Sequence, residues 1–144
     1  MRTYILTEYS ETARGRIDAL LHLLSPKAPE VQEDRLKELL ENKDFKLFVA
    51  EADNGDIAGI LTLTGCPTLS RTKWWIEDVV VDDRFRGQGA GRSLVRAAVE
   101  HVRAQEEHPT LYLTSNPART AARQLYRSEG FEEYETGVFR LPKI

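Results

Sequence analysis

The stretch RFRGQGAGR, residues 84–92, places three glycines at alternate positions between Arg86 and Arg92. Glycine adopts φ > 0 readily, and its missing side chain lets a backbone come close to a ligand. A strand-like run, KWWIEDVVVD, precedes the stretch and an amphipathic run follows it. Because the first N–H groups of a helix lack partners and carry its positive dipole end, the pattern predicts an anion site at a strand-to-helix turn. Arg86 and Arg92 would add charge-assisted hydrogen bonds to phosphate oxygens.

Two other phosphate-binding patterns fit this stretch less well. A Walker loop needs a lysine followed by Ser or Thr after its last glycine, and Arg92-Ser93 stands there instead. The dinucleotide fingerprint needs Gly-x-Gly-x-x-Gly after a first strand, and here the spacing and the place in the chain both differ. A tight turn without a ligand is the remaining alternative, although three glycines in so short a turn favour ligand binding.

Composition and charge exclude several classes of protein. The chain has 144 residues, 41% hydrophobic and 30% charged, with a net charge of -3, which predicts an ordinary globular domain and gives no support for nucleic-acid binding. Its single cysteine, Cys66, excludes an internal disulfide and fits a reducing cytoplasm. We expect no signal peptide and no membrane-spanning segment, and the three histidines show no metal-ligand spacing.

The elements around the glycine stretch predict one α/β domain over residues 1–144, with a mixed central sheet flanked by helices. Strand patterns and helical periodicity give the order β-α-α-β-β-β-α-β-α-β-β. Asn54-Gly55 predicts a hairpin turn, and Gly130 a helix C-cap. The last two strands are predicted in FEEYET and GVFRLPK, residues 131–136 and 137–143.

Two motifs resemble the signatures of the GNAT superfamily of N-acetyltransferases. In VVVDDRFRGQGAGRSLV, the residues Arg84, Gly87 and Gly89 fill the acetyl-CoA signature of Gln or Arg, two residues, Gly, one residue, then Gly or Ala. AARQLYRSEGF resembles the second signature, with an alanine before a Leu-Tyr pair and a following Gly-Phe. The resemblance implies the GNAT fold and an acyltransferase that moves acetyl from acetyl-CoA to a primary amine, without an acyl-enzyme.

The resemblance also implies where acetyl-CoA binds. Backbone amides of the loop would hold the pyrophosphate, and the main chain of the preceding strand would pair with the pantetheine arm, because that strand and the next splay apart in the family. The second signature usually carries an asparagine where Arg119 stands, so Asn116 or Arg119 would take over that contact. The residues implied to bind acetyl-CoA are Val79, Val81, Arg84, Arg86, Gly87, Gln88, Gly89, Ala90, Gly91, Arg92, Ser93, Asn116 and Arg119.

The resemblance assigns the chemistry to three side chains. An alkyl amine is an ammonium ion at neutral pH, so a carboxylate must take its proton. Glu77 is the expected base and Asp78 a substrate contact; strand alternation places them on opposite faces unless a bulge, common in this strand of the family, re-aims them. Tyr126 occupies the position of the general acid that protonates the leaving thiolate.

The acceptor is expected to be a small-molecule amine, and a protein lysine or N-terminus is the alternative within the enzyme class. If the protein is not an enzyme, the alternative is a GNAT-fold module that binds acyl-CoA without turnover. Neither a nucleic acid nor a membrane is an expected partner, and a homodimer is compatible with the family. Of the tryptophan pair Trp74-Trp75, we expect one ring in the core and the other at a rim, such as a dimer interface; lining a substrate pocket is the alternative.

Overall fold

The computed structural model describes residues 1–142. The described residues form five strands and four α-helices, with a short 3-10 turn before the third helix. In chain order they are β1 (Arg2–Ile5), α1 (Glu11–Leu24), α2 (Glu33–Glu41), β2 (Phe45–Glu51), β3 (Ile57–Pro67), β4 (Thr72–Val81), the 3-10 turn (Asp83–Phe85), α3 (Ala90–Gln105), β5 (Leu111–Leu113) and α4 (Thr120–Ser128).

The five strands form one mixed sheet in the order β1-β2-β3-β4-β5. Strands β1 to β4 pair antiparallel, and β5 pairs parallel to β4. Because parallel neighbours need a crossover, the chain passes through α3 between β4 and β5. The α/β architecture predicted from the sequence is confirmed.

Each face of the sheet carries its own apolar core. One core joins the sheet to α3 and α4, through residues such as Leu63, Leu94 and Val95. The other joins it to α1 and α2, through residues such as Leu20, Leu36 and Ile60. The two faces therefore hold different helices, and a side chain on β4 meets one set or the other according to its place in the strand.

The two strands predicted after α4 are wrong for the described residues, because residues 131–142 form neither helix nor strand; Lys143 lies outside them. Strand formation depends on burial and pairing; this segment has no strand partner, and Phe131 at its start is its one partly buried residue among those described. The apolar side chains of Val138, Phe139 and Leu141 are all largely exposed, Phe139 by 98%. With no buried face, nothing selects a register.

The other differences concern the lengths of elements. The strand predicted over TLYLTSN is only three residues long, and the hairpin turn after β2 is a five-residue loop in which Gly55 has φ 89°. Gly130 has φ 96° directly after α4, as expected of a C-cap residue.

Candidate active site

The glycine loop leads from β4 through the 3-10 turn into α3. Gly87 and Gly89 have φ 78° and 80°, in the left-handed region that favours glycine, and Gly89 is the N-cap of α3. Within the described part of the chain, no acceptor takes the backbone N–H groups of residues 87–92. The first turn of α3 carries no acidic side chain either. Unpaired N–H groups in a loop that leads into a helix N-terminus favour the binding of an anion.

Gly91 has a different reason to be glycine. A Cβ atom there would lie 3.2 Å from Leu125 Cδ2, so the absence of a side chain lets α4 pack against the start of α3. Leu125 directly precedes Tyr126, and the loop is thereby joined to the candidate general acid.

The loop arginines are engaged within the protein. Arg84 donates to Asp82 at 3.1 Å and Arg86 to Asp83 at 2.8 Å, and both guanidinium groups remain mostly exposed. Arg92 instead reaches α4, where it pairs with Glu129. Arg84 and Arg86 can still turn toward a phosphate, whereas the geometry of Arg92 favours holding α3 to α4.

Ser93 lies in the same helical turn but faces the sheet. Its Oγ is hydrogen-bonded to the hydroxyl of Thr3 on β1. Of the loop residues expected to bind a cofactor, Arg92 and Ser93 therefore use their side chains inside the fold. The backbone amide of Arg92 remains unpaired, whereas that of Ser93 donates to Gly89 O at 2.9 Å.

Strands β4 and β5 separate next to the loop. Their last pair is Ile76 with Leu113, and β5 ends there, whereas β4 continues to Val81. In the described structure the remaining half of β4 has a strand on one side only. The splay expected between these two strands is therefore present.

The backbone direction of β4 shows which groups the splay leaves free. Asp82 N–H donates to Ala58 O on β3 at 2.8 Å. Since neighbouring residues of a strand direct their backbone groups to opposite edges, the N–H and C=O groups of Val79 and Val81 point away from β3, into the splay. They are unpaired edge groups that an extended chain, such as pantetheine, can bind.

A bulge interrupts β4 beside the splay. The β3–β4 register shifts between Leu61 and Leu63, where β4 has two residues, 77 and 78, opposite the single Thr62. Thr62 Oγ1 donates to Asp78 Oδ2 at 2.8 Å and accepts from Asp78 N–H at 3.0 Å. The buried hydroxyl of Thr62 thus fixes the bulge and the Asp78 carboxylate together.

The two carboxylates of the bulge differ in their surroundings. Asp78 is half-buried and already accepts from Thr62. Glu77 is exposed, and no hydrogen bond or ion pair involves it among the residues described. Glu77 is thus the carboxylate free to meet an incoming ammonium ion.

Tyr126 is 6% exposed and packs in the core between α3 and α4, with its ring centroid 6.1 Å from that of Phe131. Burial raises the pKa of its hydroxyl, and the charge of Arg119 partly offsets that effect. The hydroxyl makes no hydrogen bond within the described chain, so it remains free to donate. A raised pKa keeps it protonated, as a general acid must be.

Asn116 and Arg119 lie in the turn before α4. Asn116 Oδ1 accepts from Ala118 N–H at 2.8 Å, and Asn116 O accepts from Arg119 N–H at 3.0 Å. The side-chain and main-chain oxygens of Asn116 are therefore both used within the turn. Arg119 is exposed, and its charge acts to lower the pKa of Tyr126.

Sequence reasoning missed Asp82, an 8% exposed carboxylate at the end of β4. It accepts from Arg84 and from Arg16 Nη2 at 3.0 Å, and these hydrogen bonds hold its pKa far below the usual range. Arg16 also donates to Ile57 O at 2.7 Å. Asp82 therefore ties α1 and β3 to the glycine loop. No local pattern distinguishes it from its neighbour Asp83.

Comparisons with known proteins agree with this geometry. A family model described as the acetyltransferase (GNAT) family matches residues 17–131, so the chain belongs to the GNAT family. No curated protein matches the chain.

Many solved structures share the fold. An aminoglycoside acetyltransferase from an uncultured soil metagenomic sample has a TM-score of 0.83 at 20% identity, over 99% of this chain and 95% of that one. A transcriptional regulator from Bacillus halodurans C-125 has a TM-score of 0.79 at 25% identity, over 97% and 99%. An acetyltransferase from Trypanosoma brucei has a TM-score of 0.78 at 24% identity, over 99% of both chains.

No helix within residues 1–142 is long and apolar enough to cross a membrane.

Proposed function

We propose that this GNAT protein transfers an acetyl group from acetyl-CoA to the primary amine of a small molecule, by direct attack in a ternary complex. The proposal rests on one observation: unpaired backbone groups follow one another from the edge of β4 into the glycine loop. The edge of β4 at Val79 and Val81 leads to the unpaired amides of residues 87–92. One extended molecule with an anionic end fits both parts.

The donor would lie along that path. Its pantetheine amides would pair with the main chain of Val79 and Val81, and its pyrophosphate would accept from the loop amides. Arg84, Arg86 and Arg119 are exposed and would supply charge for the phosphates. An unpaired backbone group is costly when buried, so the splayed strand favours a ligand that completes it.

Glu77 and Tyr126 would carry the proton transfers. Glu77 takes one proton from the ammonium ion, and the neutral nitrogen attacks the thioester carbonyl carbon. As the C–S bond breaks, Tyr126 gives its proton to the sulfur, and the second proton lost by nitrogen replaces it. The products are the N-acetyl amide, CoA and one proton released from Glu77. Asp78, held by Thr62, would contact the acceptor rather than take a proton.

The neighbouring aminoglycoside acetyltransferase is consistent with a small amine acceptor, since it has this fold and is named for such a substrate. At 20% identity it supports the fold and not the acceptor's identity.

Release of free CoA thiol from acetyl-CoA, measured across a panel of small amines, amino acids and lysine peptides, tests the proposal. We expect thiol release with at least one small amine, and mass spectrometry should show the acetylated product. Release with peptides alone would move the assignment to protein acetylation. Tight acetyl-CoA binding without release by any amine would favour a binding module.

We further propose that the enzyme is cytoplasmic and forms a homodimer. Cys66 is an exposed free thiol, which suits a reducing compartment. The exposed apolar side chains of Val138, Phe139 and Leu141 suit burial against a second copy. A monomer observed by sedimentation velocity at micromolar concentration would contradict the homodimer.

A further inference from the structure

Three aromatic rings form a row across β4, β5 and the segment after α4. The ring centroids of Trp75 and Tyr112 are 4.9 Å apart, and those of Tyr112 and Tyr134 are 5.7 Å apart. Trp75 and Tyr112 are directly paired in the β4–β5 register, so the sheet itself holds the first contact. We call Trp75, Tyr112 and Tyr134 the ring row.

The ring row lies outside both cores of the described structure. Trp74 and Ile76 point to the α3 face, where they are buried. Trp75 lies between them in the strand and therefore points to the opposite face. The core that α1 forms on that face includes Val80, near the other end of β4. The half of that face holding Trp75 carries aromatic rings in place of a packed core.

The ring row ends at the candidate chemistry. Glu77 is two residues from Trp75 on the same strand, at the first position of the bulge. Ile76 between them points to the α3 face, so alternation up to the bulge places Glu77 on the face of Trp75. The pair after Trp75 with Tyr112 is the last one before β4 and β5 separate. A molecule lying on the rings therefore has one end beside the free carboxylate and the opening of the splay.

The polar atoms of the ring row are also free. Neither the hydroxyls of Tyr112 and Tyr134 nor the indole N–H of Trp75 makes a hydrogen bond within the described chain. Trp and Tyr combine an apolar ring face, a hydrogen-bonding group and a negative face that attracts cations. Such a surface suits a ligand with an apolar face and polar substituents, and Glu77 adds attraction for a positive end.

We propose that the ring row is the acceptor subsite, and that it selects a primary amine whose carbon skeleton contains a ring, with its ammonium group at Glu77. The ring stacks on Trp75 and Tyr112, and Tyr134 covers its outer edge. This rests on the proposed acetyl transfer, and it adds the class of acceptor. A planar aromatic ring and the C–H face of a puckered sugar ring both present apolar surface to an aromatic side chain, so both are included in the test.

The test compares three amines in the CoA thiol-release assay: 2-phenylethylamine, glucosamine and the linear control n-hexylamine. We expect kcat/KM to favour at least one ring amine over n-hexylamine. Trp75→Ala should reduce that preference about fivefold, the size of one aromatic contact. Trp75→Phe keeps an aromatic ring at this position and should retain most of the preference for ring amines. The KM for acetyl-CoA should not change in either variant.

Tyr134→Ser provides a second variant with little risk to folding, because Tyr134 is 70% exposed. Tyr134→Ser should lower the kcat/KM preference for ring amines over n-hexylamine, and the melting temperature should stay unchanged. An active enzyme whose preference is equal in wild type, Trp75→Ala and Tyr134→Ser overturns the inference while leaving acetyl transfer intact. Loss of a dimer in Trp75→Ala, with the preference unchanged, would assign the ring row to an interface instead.

A binding measurement separates this inference from the proposed function. Trp75 is half-buried and Trp74 is in the core, so a ring amine bound to the ring row should change the emission of Trp75. That change should disappear in Trp75→Phe. A change lost in Trp75→Phe, with no thiol release from any amine, would keep the subsite and reject acetyl transfer. No change with either ring amine would reject the subsite.

Discussion

Gly91 of α3 and Leu125 of α4 approach so closely that a Cβ atom at residue 91 would lie 3.2 Å from Leu125 Cδ2. The contact joins the glycine loop to the residue before Tyr126. Nearby, Arg92 and Arg96 pair with Glu129 at the end of α4. The two helices that carry the candidate anion site and the candidate acid are therefore held as one unit.

Gly91→Val should displace α4 by forcing Leu125 aside. Added volume at a packed contact costs ~1–3 kcal/mol, and α4 carries Tyr126, so both the melting temperature and kcat should fall. Adding Leu125→Ala to the same chain makes room and should recover part of the lost kcat relative to Gly91→Val alone. A double variant no better than the single one would show that the contact does not position Tyr126.

Tyr126→Phe should lower kcat at least ~10-fold, within the usual range for general acid catalysis. The ring remains, so packing and acetyl-CoA affinity should change little. In the wild type, burial raises the pKa of Tyr126, so the acid stays protonated to higher pH and the alkaline fall of kcat should begin above the ordinary tyrosine range. Equal kcat in wild type and Tyr126→Phe would remove this residue from the mechanism.

Thr62→Val should disturb the bulge while keeping the volume of the side chain nearly constant. It removes both hydrogen bonds to Asp78, at 2.8 Å and 3.0 Å, and leaves Asp78 N–H without its partner. We expect a stability loss of ~1–3 kcal/mol and a lower kcat through misplacement of Glu77. Thr62→Ser retains the hydroxyl and should restore kcat. Equal activity in both variants would mean that the bulge does not depend on this hydroxyl.

His22 should make the loop between α1 and α2 sensitive to pH. Its Nδ1 lies 2.7 Å from Asp18 O and its Nε2 2.7 Å from Ala28 O, and only the doubly protonated ring can donate to both. These hydrogen bonds raise the pKa of His22, so its stabilisation is complete below the unfolded pKa and is lost as pH rises through the folded value. Hydrogen exchange of residues 25–31 should therefore accelerate between mildly acidic and alkaline pH, beyond the intrinsic dependence.

His22→Gln should abolish that extra acceleration. His108→Gln is the control, because His108 is exposed and makes no hydrogen bond within the described residues. The same pH profile in wild type and His22→Gln would refute a role for the proton.

Short-range patterns predicted the glycine loop, α3 and the helix of Tyr126, because a turn followed by a helix depends on neighbouring residues. The Thr62–Asp78 bonds could not be predicted, since they join positions 16 residues apart across a bulge. Asp82 looks like Asp83 in the sequence, and only its burial by Arg16 and Arg84 distinguishes it. The strands predicted in residues 131–142 fit the local residue types, but pairing decides a strand and no pairing holds that segment.

Binding of acetyl-CoA by the loop amides and the edge of β4 should raise the melting temperature of the protein, which can be measured with and without acetyl-CoA. At 100 times Kd, binding should stabilise the fold by ~2.7 kcal/mol, a rise of several degrees. Gly89→Trp should abolish the rise by blocking the loop, whereas Gly15→Trp, at an exposed site in α1, should retain it. No rise in the wild type at millimolar acetyl-CoA would contradict the account.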